Sequence, residues 1–280
     1  MPDGHLVVCA TPIGNLGDVT LRVLEALRAA DMVEAEDTRV TRKLFARYEI
    51  TTLLESYHAK NLERRTPEVV ARVASGQVVA LVSDAGTPGV SDPGAHLVDA
   101  CLAAGLTVEV LPGASAILAA LVASGLPTHA FYFGGFLPRK AGERRRALEA
   151  LAALDATLVF YESPRRTVAA LVSLAEVFPG REAVVARELT KMHEEVARAE
   201  VGELAAAFAS RELKGEVVLL VGPPARHAAK PAADEADVRA RVEAAVAAGA
   251  TRKDAVREIA AATGLARNEV YRIAVGGPGA

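Results

Sequence analysis

Short apolar runs alternate with longer amphipathic segments through the first half of the chain. His5 to Ala10, Met32 to Ala35, Val78 to Ser83 and Thr107 to Leu111 have the length and β-branched content of buried strands. Between them, apolar residues recur at helical spacing. Alternating strands and helices are typical of α/β architecture with a largely parallel sheet. The first half is therefore predicted to form one α/β domain.

Two helices of this half have distinct hydrophobic patterns. Thr20 can cap a helix that carries Leu21, Leu24 and Leu27 on one face. The segment from Ala114 to Ser124 is apolar on all sides, which predicts a fully buried helix.

The second half begins in the same way and ends differently. Phe131 to Phe133 and Thr157 to Tyr161 predict two strands with a helix between them. Ala183 to Glu188, Glu194 to Val201 and Glu216 to Val221 then predict three strands separated by little helix. Parallel strands need long crossovers, so part of this second sheet is predicted to be antiparallel or mixed.

The last 60 or so residues differ again in pattern. The segment PPARHAAKPAADEAD after Gly222 has the Pro, Ala and charge content of a linker. Lys253 to Thr263 and Ala266 to Val275, with a turn at Gly264, resemble a helix-turn-helix. Its predicted core is Ile259, Leu265, Val270 and Ile273. The predicted organisation is an N-terminal α/β domain at 1–125, a C-terminal α/β domain at 126–224, a linker at 225–236 and a helical tail at 237–280.

Composition limits the class of protein. The chain has 280 residues, 51% of them hydrophobic and 24% charged, which is enough for more than one core. No stretch approaches the roughly 20 consecutive apolar residues of a membrane-spanning helix, and no basic segment followed by an apolar one opens the chain. A cytoplasmic protein with no membrane partner is expected. Cys9 and Cys101 stand in apolar sequence without metal-ligand spacing, so both are expected to be buried thiols and no metal is expected.

The charge distribution favours a local basic patch over a basic protein. The formal net charge is −3, which provides no global case for nucleic-acid binding. The run LPRKAGERRR at 137–146 nevertheless holds five basic residues against Glu143 alone. Such a run is usually a solvated helix face, so it indicates an RNA-binding surface only together with other features.

Three loops rich in turn-forming residues follow strands of the predicted parallel sheet. They are TPIGNLGD at 11–18, SDAGTPGVSDPG at 83–94 and LPGAS at 111–115. Ligands bind at the carboxyl ends of strands in open α/β sheets, and glycines there allow a close backbone approach. A binding site is therefore predicted at this edge. GxGxxG, P-loop, GxSxG and HExxH patterns do not occur, which argues against the common dinucleotide, triphosphatase, serine hydrolase and zinc protease sites.

These loops belong to a longer ordered set of motifs. In chain order the set is TPIGNLGD, AEDTR (35–39), SYH (56–58) with Asn61, SDAGTPGVSDPG, LPGASA (111–116), GFLPRK (135–140), FYESPRR (160–166) and RELTKMHEE (187–195). From about Leu6 to Pro224 the chain thereby resembles the ribosomal RNA small subunit methyltransferase I family. The resemblance implies the tetrapyrrole-methylase fold, in which two α/β domains hold S-adenosylmethionine in the cleft between them and the protein is a homodimer. It also implies 2′-O-methylation of a cytidine in the decoding region of 16S rRNA, within the small ribosomal subunit.

The implied cofactor suits these loops. S-adenosylmethionine carries a sulfonium and a carboxylate but no pyrophosphate, so its site needs shaped backbone and an adenine slot and no phosphate cradle. On the resemblance, the cofactor contacts are Pro12, Asp84, Ala85, Gly86, Ser91, Ser115 and Ala116 in the first domain and Glu162, Leu220, Val221 and Pro223 in the second.

Methyl transfer to a ribose hydroxyl requires oxygen, methyl and sulfur in line, and help for the hydroxyl to lose its proton. The candidate bases in the motifs, which the sequence does not rank, are Glu36, Asp37, His58, Glu162 and Glu188. Each carboxylate has an alternative role in a salt bridge or a helix cap. Asp37 in particular suits the N-cap of a helix predicted from Thr38 to about Tyr48.

Basic residues of the motifs and of the tail are the predicted RNA contacts, because RNA affinity comes largely from neutralised phosphates. They are Arg39, Arg42, Lys43, Arg139, Lys140, Arg144, Arg145, Arg165, Lys191, Arg267 and Arg272. For Arg165 and Arg166 an internal salt bridge is the competing interpretation.

Two other functions fit the same sequence in part. The fold also methylates tetrapyrrole rings, and a fold does not determine a substrate. A non-catalytic, ligand-sensing regulator with a nucleic-acid-binding tail is the second alternative. The basic segment at 137–146 and the tail favour RNA over a small macrocycle, and the cluster of three loops favours an enzyme over a regulator.

Overall fold

The computed structural model describes residues 4–224, 235–263, 265 and 267–275. The chain divides into two compact units, Met1–Pro224 and Ala225–Ala280. Most of the predicted linker, and Gly264 of the predicted turn, lie outside the described residues. None of the described helices is long and apolar enough to cross a membrane.

The first sheet has five parallel strands in the order β3-β2-β4-β1-β5. The strands are β1 (His5–Cys9), β2 (Met32–Ala35), β3 (Leu54–Ser56), β4 (Val78–Val82) and β5 (Thr107–Leu111). The helices between them are α1 (Leu21–Ala29), α2 (Thr38–Tyr48), α3 (Leu62–Ala74) and α4 (Gly94–Ala103). In β1, Val7 packs with α1 and α2 on one face, and Leu6 packs with α3 and α4 on the other. Both faces of the sheet are therefore covered, as the continuous apolar strands require.

The buried faces of two helices differ from the prediction. Leu21 is 77% exposed, because Thr20 caps α1 at the amide of Val23 and the buried stripe begins at that residue. The helix α5 (Ala116–Ser124) is not fully buried. Its Ala120 and Leu121 pack against the second sheet, while the opposite side chains of Leu118 and Val122 are exposed.

The second sheet is mixed, as predicted, with the order β6-β7-β10-β8-β9. Only β6 and β7 pair in parallel; β10 is antiparallel to β7 and β8, and β8 to β9. The strands are β6 (Phe131–Phe136), β7 (Thr157–Glu162), β8 (Glu182–Arg187), β9 (Glu195–Glu200) and β10 (Val217–Val221). The helices α6 (Ala141–Glu149), α7 (Thr167–Val177) and α8 (Val201–Phe208) cover one face. The other face packs on α5, so an element of the first half completes the core of the second.

The second unit is a small helical bundle with its own core. It consists of α9 (Glu235–Ala247), α10 (Arg252–Thr263) and α11 (Arg267–Val275). The predicted core residues Ile259, Val270 and Ile273 are buried, and Leu265 packs against them. The helix α9 adds Val238 and Val242 to this core.

Candidate functional site

A pocket of about 440 Å³ lies between the two sheets of the first unit, and we call it the cleft pocket. The first half contributes the ends of β2 and β4, the long loop after β4 and the start of α5. The second half contributes the ends of β6 and β7 and the start of β10. Its lining residues are Ile13, Glu36, Ser83, Asp84, Ala85, Val90, Ser91, Asp92, Ala116, Phe136, Tyr161, Glu162, Ser163, Pro164, Gly215, Glu216, Val217 and Val218.

Two of the predicted loops are joined by backbone hydrogen bonds. The amide of Thr11 donates to the carbonyl of Gly86 at 2.8 Å, and the amide of Gly86 donates to the carbonyl of Thr11 at 3.0 Å. Gly86 has φ +80°, a conformation that favours glycine. Both of its backbone groups are therefore used between the loops. Gly86 does not line the cleft pocket, and its contact with the cofactor stays a prediction.

The long loop after β4 is shaped by Asp92. Its carboxylate accepts hydrogen bonds from the amides of Gly89 and Gly94, at 2.8 and 2.7 Å. Ser91 then adopts φ +65° and lines the cleft pocket. Gly135 of β6 meets this loop: a Cβ there would lie 3.4 Å from Ser91 Oγ, an ordinary contact distance, and its φ of +62° favours glycine.

Three carboxylates give the first-half wall its charge. Burial raises the pKa of Glu36, and the neighbouring Asp84 and Asp92 raise it further. Burial also raises the pKa of Asp84, whose carboxylate accepts a 2.9 Å hydrogen bond from the amide of Asp37. Among the described residues, none of the three carboxylates forms an ion pair. This wall is a negative surface, with Asp84 exposed and Glu36 and Asp92 partly buried, and it is open to a cationic ligand.

The opposite wall is largely apolar and aromatic, and its two carboxylates, Glu162 and Glu216, are each paired with a cation. Glu162 is 3% exposed, and it accepts hydrogen bonds from Arg166, with an ion pair of 2.7 Å, and from the amide of Ser163. The internal salt bridge that competes with an RNA role is therefore present for Arg166. Tyr161 lines the pocket, with its ring 4.9 Å from that of Phe133 in an edge contact.

The predicted cofactor contacts at the end of β10 do not line the cleft pocket and stay predictions. Leu220 and Val221 are fully buried in the cores on the two faces of the second sheet, and Pro223 does not line the cleft pocket. Because β10 runs antiparallel to β7, it is its beginning, Val217 and Val218, that lies beside the end of β7.

Some of the other predicted cofactor contacts line the cleft pocket and one does not. Asp84, Ala85, Ser91, Ala116 and Glu162 line the cleft pocket. Ser115 does not, because its hydroxyl caps α5 by accepting from the amide of Leu118.

A second pocket, of about 350 Å³, adjoins the first, and we call it the α2 pocket because α2 forms one side. Pro12 lies here and not in the cleft pocket. The lining residues are Thr11, Pro12, Ile13, Gly14, Leu16, Val40, Thr41, Lys43, Leu44, Ser83, Asp84, Ala85, Lys191 and Glu216.

Two candidate bases occupy structural roles, and a third lies outside both pockets. Asp37 caps α2 and pairs with Arg39 at 2.5 Å, and these contacts lower its pKa to about 2. Glu188 pairs with Lys191 at 2.7 Å and accepts from the amide of Glu216, which lowers its pKa. His58 lines neither pocket. Glu36 is therefore the candidate that lines the cleft pocket without an ion pair.

The predicted RNA contacts differ in burial and in whether they have an acidic partner. Arg144 is 6% exposed and donates to Ser173 Oγ at 2.9 Å and to two carbonyls, so it serves the packing of α6 on α7. Its contact with RNA stays a prediction. Arg39, Lys140, Arg145, Lys191 and Arg272 have acidic partners. Of the predicted RNA contacts, those that are exposed and have no ion pair with a described residue are Arg42, Lys43, Arg139, Arg165 and Arg267.

Several lining residues are absent from the sequence-based prediction. Ser83 and Asp92 belong to the quoted loop motif and could have been named from it. The apolar residues Ile13, Val90, Phe136 and Val217 carry no sequence signal of a site, because their role depends on how the two sheets meet.

Comparison with known proteins places the fold in a family. The profile of the Tetrapyrrole (Corrin/Porphyrin) Methylases matches residues 5–205. A solved uroporphyrin-III C-methyl transferase from Thermus thermophilus, complexed with S-adenyl homocysteine, is similar with a TM-score of 0.57 at 22% identity, over 78% of this chain and 97% of that chain. At this identity the likeness shows the fold, and it confirms the predicted fold class.

Curated relatives are closer in sequence. A ribosomal RNA small subunit methyltransferase I from Synechocystis sp. is 44% identical over 274 residues, which cover 97% of this chain and 98% of the relative. Another from Mesorhizobium japonicum is 47% identical over 269 residues, covering 95% and 90%. Methyltransferases of this family use S-adenosylmethionine. The chain belongs to the tetrapyrrole methylases and, among them, to the ribosomal RNA small subunit methyltransferase I family.

Proposed function

We propose that this chain transfers a methyl group from S-adenosylmethionine to the 2′-hydroxyl of a cytidine in the decoding region of 16S rRNA, within the small ribosomal subunit. The observation that carries the proposal is the cleft pocket, in which a carboxylate wall without cations faces an apolar wall. The names of the curated relatives support ribosomal RNA as the substrate. A ribosomal substrate also supports the expected cytoplasmic location.

The residues of the cleft pocket fit the cofactor. S-adenosylmethionine supplies a methyl group on a positively charged sulfur, next to an adenine ring. Glu36, Asp84 and Asp92 provide negative charge in a partly buried site, where electrostatic attraction is stronger than in bulk water. Ile13 and Val218, among other apolar side chains, provide surface for an aromatic ring.

Glu36 is the residue best placed to accept the hydroxyl proton. It lines the cleft pocket, and its pKa is raised by burial and by two nearby carboxylates. A carboxylate whose pKa moves toward neutrality is a more effective base at physiological pH than an ordinary one. Glu162 lines the same pocket, but Arg166 and the amide of Ser163 hold its oxygens. We assign Glu36 as the base and Glu162 as a structural residue.

Exposed cations provide the RNA contacts of the proposal. Arg165 lies in the motif FYESPRR, and Arg42 and Lys43 follow the motif AEDTR closely. None of the three forms an ion pair with a described residue. Such side chains can neutralise phosphates without first breaking an internal contact. Charge reversal at Arg165 is expected to weaken subunit binding, whereas reversal at the buried Arg144 is expected to unfold its surroundings.

A homodimer is also part of the proposal. The exposed side chains of Leu118 and Val122 are four residues apart on α5 and form an apolar strip. Such a strip is typical of an interface between subunits. Sedimentation equilibrium of the wild type and of Val122→Glu tests this point, and a wild-type monomer would contradict it.

The decisive experiment compares acceptors. Purified protein and labelled S-adenosylmethionine are incubated with undermethylated small ribosomal subunits, with the free 16S rRNA, or with uroporphyrinogen, and the modified nucleotide is mapped. We expect label in one cytidine ribose of the subunit RNA. Label in uroporphyrinogen and none in RNA would favour the tetrapyrrole alternative. Cofactor binding with no transfer to any acceptor would favour the regulator.

A further inference from the structure

The α2 pocket shares a wall with the cleft pocket. Ile13, Ser83, Asp84, Ala85 and Glu216 line both. A methyl acceptor must lie within contact distance of the donor, since the reacting atoms meet at about 3 to 3.5 Å. A ligand in the α2 pocket would meet a ligand of the cleft pocket at this shared wall.

The walls of the α2 pocket combine apolar and cationic side chains. Leu16, Val40 and Leu44 form an apolar side, of which Val40 on α2 is 36% exposed. Lys43 is exposed and has no ion pair among the described residues. A ring between apolar side chains with a phosphate at a lysine is a common way to hold a nucleotide.

The remaining cation of the pocket is fixed in place. Lys191 Nζ lies 2.7 Å from Glu188 Oε1 and 3.0 Å from Glu216 Oε2. The side chain of Lys191 lies close to the loop after β1, because a Cβ on Gly14 would lie 2.6 Å from Lys191 Cγ. Lys191 thus closes the pocket where the loop after β1 meets the loop after β8.

We propose that the α2 pocket is the acceptor subsite, which receives the ribose and base of a single nucleotide turned out of the RNA. This inference deepens the proposed function and rests on it. Lys43 contacts a flanking phosphate, and the 2′-hydroxyl points across the shared wall. The oxygen–methyl bond forms as the sulfur–methyl bond breaks, the bonding electron pair stays on sulfur, and the hydroxyl proton passes to Glu36 beside Asp84.

The size of the pocket agrees with one nucleotide. Its volume of about 350 Å³ lies in the lower part of the range of small-ligand sites, roughly 300 to 1,000 Å³. Enzymes that modify nucleotides commonly take the target out of its stack into such a pocket, and single-stranded loops present it at the least energetic expense.

The test fills the α2 pocket and leaves the cleft pocket intact. Val40→Trp places an indole in the α2 pocket; Ala46→Trp, on an exposed position of the same helix outside both pockets, is the matched control. S-adenosylhomocysteine affinity is determined by calorimetry, thermal stability by melting, and kcat/KM with undermethylated small subunits. We expect Val40→Trp to lower kcat/KM at least about tenfold, while its affinity for S-adenosylhomocysteine stays within about twofold of wild type. Ala46→Trp is expected to match the wild type in both.

A charge variant gives the same answer without added bulk. Lys43→Gln is expected to reduce the salt dependence of subunit binding by about one counterion. Arg47→Gln, also on α2 but outside both pockets, is expected to leave it unchanged. Where Val40→Trp proves unstable, an unchanged salt dependence in Lys43→Gln would still overturn the phosphate contact on which the subsite rests.

Three outcomes are distinguishable. Normal methylation by both Val40→Trp and Lys43→Gln would overturn the acceptor subsite while the proposed function stands. Loss of S-adenosylhomocysteine binding by a stably folded Val40→Trp would overturn it too, since the α2 pocket would then belong to the cofactor. Absence of RNA methylation by the wild type would remove the proposed function and the subsite with it.

Discussion

Glu34 and Glu36 are two residues apart and lie in contrasting surroundings. Glu34, within β2, is completely buried and forms an ion pair with Arg65 at 2.5 Å. Arg65 also pairs with Glu55 and Glu68. Glu36, just after β2, is partly buried, has no ion pair in the described residues, and faces the cleft pocket.

The contrast shows that burial alone does not mark a functional carboxylate. Burial raises the pKa of both groups, but Arg65 opposes the effect at Glu34, whereas Asp84 and Asp92 add to it at Glu36. A buried charge with a complete set of partners joins elements; here it ties α3 to β2 and β3. A partly buried charge next to other carboxylates destabilises the fold and is retained where a ligand or a reaction uses it.

The largest expected effect is on stability, from Arg65→Ala. Removing the arginine leaves Glu34 buried without its partner, which typically destabilises a protein by about 3 to 5 kcal/mol. Chemical denaturation of the variant is compared with Arg64→Ala, whose side chain is 69% exposed and which is expected to stay near wild type. Equal stability of the two variants would show that the buried network contributes little.

The next largest effect is on catalysis, from Glu36→Gln. The amide keeps the shape of the side chain but cannot accept the proton, so kcat is expected to fall about 100-fold or more. Calorimetry with S-adenosylhomocysteine checks that the cleft pocket still binds. Glu162→Gln is the comparison. Its main expected effect is a loss of folding stability, because Arg166 loses a charged partner. Wild-type kcat in Glu36→Gln would exclude this residue as the base.

A smaller effect concerns the pH dependence of stability. The pKa of Glu36 is raised in the folded protein, so folding favours its protonated form. Its ionisation therefore opposes folding as pH rises above the unfolded value, about 4.3, and through the folded pKa. Glu36→Gln should gain stability relative to wild type across this interval, while the two should be equal well below pH 4. Parallel melting temperatures from pH 4 to 8 would contradict the shift.

The parallel sheet and its loops could be predicted from sequence because their signals are local. The apolar strands, Asp37 as a cap and the loop at 83–94 are each visible within a few residues. The three-residue strand β3 is too short to produce such a signal. The helix α8 is missed although the segment between the predicted strands at 194–201 and 216–221 is long enough to hold its 8 residues.

What the sequence does not reveal depends on contacts between distant segments. Arg144 has the sequence context of a surface arginine but reaches Ser173, 29 residues away. Leu118 and Val122 look like core residues, yet the helix has only one sheet to pack on. Likewise the partner of Glu34 is Arg65, so the difference between Glu34 and Glu36 appears only in the folded chain.

The smallest expected effect comes from Asp37→Asn, which alters the partly buried carboxylate next to Glu36 in the chain. Asparagine is as good an N-cap as aspartate, so the hydrogen bond to the amide of Arg39 is retained and only the exposed ion pair with Arg39 is lost. The melting temperature at pH 7 should change by about 2 °C or less. Because the pKa of Asp37 is lowered to about 2, its charge stabilises the fold above its unfolded value of about 3.9, and this contribution disappears as pH falls toward 2. Wild type and variant should therefore converge in strong acid, the reverse of Glu36→Gln, which separates from wild type as pH rises. A loss of kcat in Asp37→Asn comparable to that in Glu36→Gln would instead make Asp37 part of the proton transfer.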